Sequence, residues 1–161
     1  SEPAGSGSHT RFVDGQLRTG DAGVIVDGQL YVLGRLGDAL KIRGCMLFAE
    51  DLEARLAPLD LPTDRFAVVL GQRGQTAVVV GVFEHVAAAT RSVARQTLRG
   101  GGQGAEVVIL DVPRGTIPRT MNGKPKRREL WLSYLSGVLA AQSSTPAKAV
   151  PNRGPSRKEL A

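Results

Sequence analysis

The chain has 161 residues, enough for one ordinary domain or a small domain with appended pieces, and its hydrophobic content is 42% with aromatics at only 4%, so a core must be built from Val, Leu, Ile and Ala. A net charge of +6 and a pI near 10.1 admit an anionic partner without naming one. The single cysteine, Cys45, excludes an internal disulfide and a multi-cysteine metal site, and with His9 and His85 the only histidines no metal ligands are assigned.

Residues 1–10 are small and polar, lack the charged and apolar regions of a signal peptide, and are expected to be a flexible lead-in. Asp14-Gly15 and Asp27-Gly28 each sit between strand-forming runs. An Asp-Gly pair suits a two-residue hairpin turn, so 11–37 is expected to be a small antiparallel β-hairpin unit. ALKI (39–42) is strand-like. In FAEDLEARLAPL (48–59), Leu52, Leu56 and Leu59 recur at helical spacing, with Glu50, Asp51 and Glu53 in the first turn and Pro58 and Pro62 ending the helix. RFAVVLG (65–71) and TAVVVGVFE (76–84) flank the turn Gln72-Arg73-Gly74-Gln75 and predict a hairpin of two buried strands.

A helix is expected over 85–98, with Val86, Ala89, Val93 and Leu98 on one face. GGGQG (100–104) breaks it. That run follows a helix and precedes a strand, the wrong order for a phosphate-binding loop, so it is expected to be a flexible connection. EVVILDV (106–112) is a third strand. In IPRTMNGKPKRR (117–128), two prolines bracket a Thr-Met-Asn-Gly turn that carries Lys124 out of an apolar strand; Lys126, Arg127 and Arg128 are expected to be the charged start of a final helix over 127–141. Leu130, Tyr134, Leu135 and Val138 recur there at helical spacing. Residues 142–161 are polar and Pro-rich and are expected to be disordered, and no apolar run approaches the length of a membrane span. The fold class is therefore α+β: an N-terminal β-hairpin unit followed by a small three-stranded sheet packed with helices.

The ordered series LRTGD (17–21), GRLGD (34–38), Arg43-Gly44 and PRTMNGK (118–124) resembles the C-terminal portion of the adenylate-forming (acyl-activating) superfamily, most of all the fatty acyl-AMP ligases of the mycobacterial type. The likeness covers roughly 17–135. It implies that 11–37 is the end of a large N-terminal domain, that 38–141 is the C-terminal mobile subdomain, and that 1–10 and 142–161 flank them. By the same resemblance Lys124 is the catalytic lysine, bridging the acid and the phosphate. Asp21 binds the ribose hydroxyls of ATP, as a carboxylate with two acceptor oxygens suits a diol, and Arg35 reaches the ribose and phosphate side of the nucleotide. Asp38 is the hinge between the domains, and Arg43 and Gly44 lie on the loop that faces the acceptor.

Where related ligases read RGRNHYPQDIE, this chain has RGCMLFAEDLE, which puts Cys45, Met46, Leu47 and Ala49 at polar or proline positions. No histidine adjoins Cys45, which is expected to be a buried thiol rather than a nucleophile.

The implied activity is that of a ligase using ATP and Mg²⁺ to convert a fatty acid to acyl-AMP and passing the acyl group to the phosphopantetheine arm of an acyl carrier protein. The chain holds no Ser/Thr/Gly-rich phosphate loop ending in Pro-Lys. ATP and Mg²⁺ are thus expected to be bound mainly by the N-terminal domain, and this piece to be inactive alone, in a cytoplasmic enzyme. An acyl-CoA synthetase of the same superfamily is one alternative. A nucleic-acid-binding module is another, permitted by the cationic cluster between Arg119 and Arg128; only seven aromatic residues, not interleaved with the basic ones, argue against it.

Overall fold

The computed structural model describes residues 11–143. The expected lead-in and 144–161 of the expected tail lie outside the described residues. Both Asp-Gly pairs form turns. Asp14 and Gly15 have φ of 50° and 74°, Asp27 and Gly28 of 51° and 77°, the two successive left-handed residues that match a turn to the twist of a hairpin. They join β1 (Arg11–Val13) to β2 (Gln16–Arg18) and β3 (Asp21–Val26) to β4 (Gln29–Arg35), each pair antiparallel.

A short 3₁₀ turn, Leu36–Asp38, leads from β4 into β5 (Ala39–Ile42). Arg43 and Gly44, with φ of 49° and 87°, turn the chain back into β6 (Cys45–Phe48), a strand the sequence had not shown. The helix expected from 48 is split. α1 covers only Ala49–Ala54, and Leu59 falls in a separate 3₁₀ turn, Ala57–Leu59, because Pro58 cannot continue the α-helical hydrogen-bond ladder.

The central sheet has the order β7 (Phe66–Arg73), β8 (Thr76–Glu84), β9 (Glu106–Val112). β7 and β8 are the predicted hairpin. β9 returns parallel to β8 after α2 (Ala88–Gly101), as a parallel pair requires a crossover. Side chains alternate across β8. Val79 and Phe83 join Leu52, Leu56, Ala94 and Leu98 in one core, while Val78, Val80 and Val82 join Leu130, Tyr134 and Leu139 in a second core on the opposite face. β8 is therefore buried on both sides, which explains its unbroken apolar run. Phe66 and Phe83, directly opposite across the hairpin, stack with ring centroids 6.1 Å apart.

Two further helices differ from expectation. α2 begins three residues late because His85 turns with φ of 50°, and Val86 enters the core from the loop, its N–H bound to Asp111. Its buried stripe is Ala94, Leu98 and Gly101; Val93 is exposed. The last helix divides into α3 (Arg127–Leu135) and α4 (Val138–Ala141) at Gly137, whose φ is 80°. That break swings Leu139 into the core and leaves Leu135 and Val138 outside. No helix among the described residues is long and apolar enough to cross a membrane.

The α3 face is held by more than apolar contact. Arg73, at the end of β7, donates to the Tyr134 hydroxyl at 3.1 Å and to Glu106 at 2.9 Å. Burial pushes the Tyr134 phenol up, with the Arg73 guanidinium opposing it. Trp131 lies across Gly71, where any Cβ would run into the indole. Gly71→Val is expected to cost about 1–3 kcal/mol through overpacking, read by urea denaturation. Trp131 is the only tryptophan, so its emission should shift in the same variant; unchanged emission would place the indole elsewhere.

Candidate active site

The loop from Ile117 to Lys126 is built by its own backbone. Ile117 is buried, and its N–H donates to Glu84 Oε1 at 2.8 Å, fixing the entry to the loop. The chain then folds back on itself. Arg119 and Pro125 form an antiparallel bridge, the Lys126 N–H donates to the Pro118 carbonyl at 2.8 Å, and the Thr120 N–H donates to the Lys124 carbonyl at 2.8 Å. Gly123, at φ of 77°, makes the bend. Thr120 Oγ1 accepts from the Lys124 N–H at 3.2 Å.

The consequence is a tight turn with Met121 and Lys124 exposed at its end. Among the described residues Lys124 makes no ion pair. An ammonium held outward on a fixed backbone, without an internal counter-charge, can be offered to a phosphate or carboxylate.

The neighbouring cations are used differently. Lys126 pairs with Glu129 at 3.0 Å. Arg127, only 9% exposed at its side chain, is the hub of a network that sequence reasoning missed. Its Nη1 donates to Asp38 at 2.8 Å and to Glu50 at 3.3 Å, its Nη2 to Glu53 at 2.9 Å, and its Nε to the Val68 carbonyl at 3.1 Å. Glu53 also accepts the Val68 N–H at 2.8 Å. Burial alone would lower the Arg127 pKa, but Glu53, Asp38 and Glu50 outweigh it and hold the guanidinium above its ordinary value. Arg127 does begin α3, as expected, but as a buried anchor rather than a solvated charge. Glu50 and Glu53, read from sequence as charges on a helix start, are its partners.

Asp38, the expected hinge, ends the turn between β4 and β5 and is tied through Arg127 to the helix that follows Lys124. Asp21 and Arg35 are cross-strand partners at the open end of the β3–β4 hairpin. The Gly20 carbonyl beside Asp21 accepts the Leu36 N–H at 2.8 Å. Arg35 is described at its backbone alone. Arg43 and Gly44 occupy a separate hairpin turn. Open space surrounds Gly44 where a Cβ would stand, and the Arg43 guanidinium lies near Gly104 of the loop after α2. The structure thus brings Asp21 beside Arg35 and links Asp38 to the Lys124 loop, while Arg43-Gly44 stands apart. Cys45 corrects an expectation: it is exposed, because it opens β6 directly after the Arg43-Gly44 turn, at the outer end of the β5–β6 hairpin, and burial begins only at Leu47 and Phe48.

No profile of a known protein family matches the chain. Curated relatives do. The long-chain-fatty-acid–AMP ligase FadD26 of Mycobacterium tuberculosis is 33% identical over 127 residues, which cover 69% of this chain and 21% of the relative. The chain therefore spans about a fifth of the length of the mycobacterial relatives it matches. Among solved structures, one from work on fatty acyl-adenylate ligases of E. coli and L. pneumophila aligns with a TM-score of 0.61 at 26% identity, covering 80% of this chain and 24% of that one. McyG A-PCP, solved with phenylalanyl-adenylate, shares the fold with a TM-score of 0.65 at 20% identity, over 82% of this chain and 22% of its own. Motif order, the β-hairpin unit with its three-stranded α+β body, and these relatives together identify the chain as a homologue of the C-terminal region of adenylate-forming enzymes of the fatty acyl-AMP ligase type.

Proposed function

We propose that this chain is the C-terminal part of a ligase that activates a fatty acid with ATP and transfers the acyl group to an acyl carrier protein. In the first step a carboxylate oxygen of the acid attacks the α-phosphorus, the bond to the β-phosphate breaks, and pyrophosphate leaves. Lys124 stands between the acid and the α-phosphate and stabilises the charge that moves towards the leaving group, without transferring a proton. In the second step the phosphopantetheine thiolate attacks the acyl carbon and AMP departs.

The other residues follow from their chemistry. The Asp21 carboxylate accepts the ribose hydroxyls, and Arg35, its cross-strand partner, serves the ribose and phosphate side. Asp38 is the hinge. Gly44 gives an acceptor thiol close access to the backbone, since nothing lies within 4 Å of its Cβ position. Mg²⁺, which would neutralise phosphate charge, is assigned with most ATP contacts to a large N-terminal domain, as the resemblance to the adenylate-forming enzymes implies. Support for that domain comes from the β3–β4 hairpin, whose Ile25, Leu30 and Val32 are 71%, 68% and 69% exposed and suit a covered face.

The observation that carries the reading is Lys124, outward on a pinned turn without an ion pair among the described residues. The nucleic-acid alternative loses its footing on the same loop, because Arg119 and Arg127 spend their donors inside the fold. The test uses the complete enzyme. Fatty-acid-dependent pyrophosphate release is expected, followed by acyl transfer when holo carrier protein is supplied. Transfer to coenzyme A instead would move the acceptor assignment to the acyl-CoA synthetases. The isolated 161-residue chain is expected to form negligible acyl-AMP; robust formation would contradict the division of labour.

A further inference from the structure

Arg119 was one of the cations that made the loop resemble a basic surface, but its guanidinium is turned onto the chain's own backbone carbonyls. Nη1 donates to the Gly123 carbonyl at 2.8 Å, immediately before Lys124. Nη2 donates to the carbonyls of Thr63 and Phe66, each at 3.2 Å, on the segment that enters β7. One planar group thus ties the far side of the turn to a different part of the chain. Packing does not do the same work, because Thr63, Phe66 and Pro125 border a cavity of about 380 Å³. Its acceptors are all carbonyls, and among the described residues no carboxylate pairs with it, in contrast to Arg127.

We propose that Arg119 is a positioning residue for the adenylation step: it fixes the backbone of the turn from which Lys124 projects. This rests on the assignment of Lys124 given above. Electrostatic stabilisation of a transition state requires that the charge be in place before the reaction, and a displacement on the order of 1 Å can cost roughly a hundredfold in rate. The turn's internal hydrogen bonds set its shape, and among the described residues the hydrogen bonds that tie it to the segment entering β7 are those of Arg119. The guanidinium holds Gly123 against Thr63 and Phe66.

The variant that separates geometry from charge is Arg119→Lys. It keeps the cation and the aliphatic stem but loses the fork that reaches two segments at once. In the complete enzyme it should lower kcat for acyl-AMP formation by about tenfold or more, with KM for ATP and fatty acid little changed. Transfer from supplied acyl-AMP to the thiol acceptor should stay at the original rate, since no pyrophosphate leaves in that step. In the present chain, amide hydrogen exchange over 118–126 should speed up while the strands β7–β9 stay protected. The protected strands also establish that the variant is folded.

Lys124→Ala run beside it distinguishes the two possible failures. If Lys124→Ala abolishes adenylation but Arg119→Lys matches the original enzyme, or if exchange over 118–126 is unchanged, the positioning role is overturned and the Lys124 assignment survives. If Lys124→Ala leaves adenylation intact, both fall. Equal loss in both half-reactions by Arg119→Lys would mark a general structural role and would also overturn the proposal.

Discussion

Arg127→Met is expected to destabilise the folded chain by about 3 kcal/mol, the lower end of the range for breaking a buried ion pair by removing one partner. The cost arises from what is left behind. Asp38, Glu50 and Glu53 converge on this one guanidinium, and without it three carboxylates face one another and the Val68 carbonyl loses its donor. Glu50 Oε2 already lacks a hydrogen-bond partner although it is buried, so the network has no spare donor to reassign. The lower end applies because the carboxylate side chains are 21% to 43% exposed and water offsets part of the repulsion.

Single carboxylate variants should cost less, since two partners remain in each. Glu53→Gln should be the worst of the three, because Glu53 also receives the Val68 N–H. Urea denaturation followed by far-ultraviolet circular dichroism gives the comparison, with unchanged m-values required for a two-state reading. A loss below about 1 kcal/mol for Arg127→Met would mean that solvent already screens the cluster.

How far the sequence carried the fold depended on whether a signal was local. Asp14-Gly15 and Asp27-Gly28 announced their hairpins because both residues tolerate left-handed backbone. Arg43-Gly44 makes a turn of the same kind, yet arginine is not a usual residue for it, and β6 went unseen. The apolar runs of β7, β8 and β9 were legible because two cores bury them from both sides. The limits of α2 and α3 were not. Gly101 reads as a helix breaker, but it ends α2 in close contact with Leu52 and Arg55, where a Cβ would intrude. Gly137 decides which of Leu135, Val138 and Leu139 reaches the core, and spacing alone treats an interrupted helix as continuous.

The candidate site divides the same way. Lys124, Asp21, Arg35, Asp38, Arg43 and Gly44 were singled out as candidates by the order of short motifs along the chain. The bonds that Arg119 and Arg127 make within the fold were not, since their partners lie far away in sequence: Thr63 is 56 residues from Arg119, and Asp38 is 89 from Arg127. A run of basic residues looks alike whether its side chains point to water or into a network. Only the fold separates Lys124 and Arg128, both exposed and without an ion pair among the described residues, from Lys126, paired with Glu129, and from Arg119 and Arg127, which bond within the fold.

That separation leads to the largest expected effect on activity. Lys124→Ala in the complete enzyme removes one preorganised donor from the developing charge, which by analogy with loss of an oxyanion-hole contact is worth about 3 kcal/mol, or on the order of a hundredfold in rate. Fold stability should barely change, because the Lys124 side chain is exposed and the turn is held by backbone bonds and by Arg119. Arg128→Ala is the matched control: it removes an exposed cation four residues away in a helix and should leave adenylation near its original rate. The decisive measurement is fatty-acid-dependent pyrophosphate release by the complete enzyme carrying Lys124→Ala, with Arg128→Ala alongside. A loss of about a hundredfold confined to Lys124→Ala is the predicted result; equal rates for the two variants and the original enzyme would contradict the account.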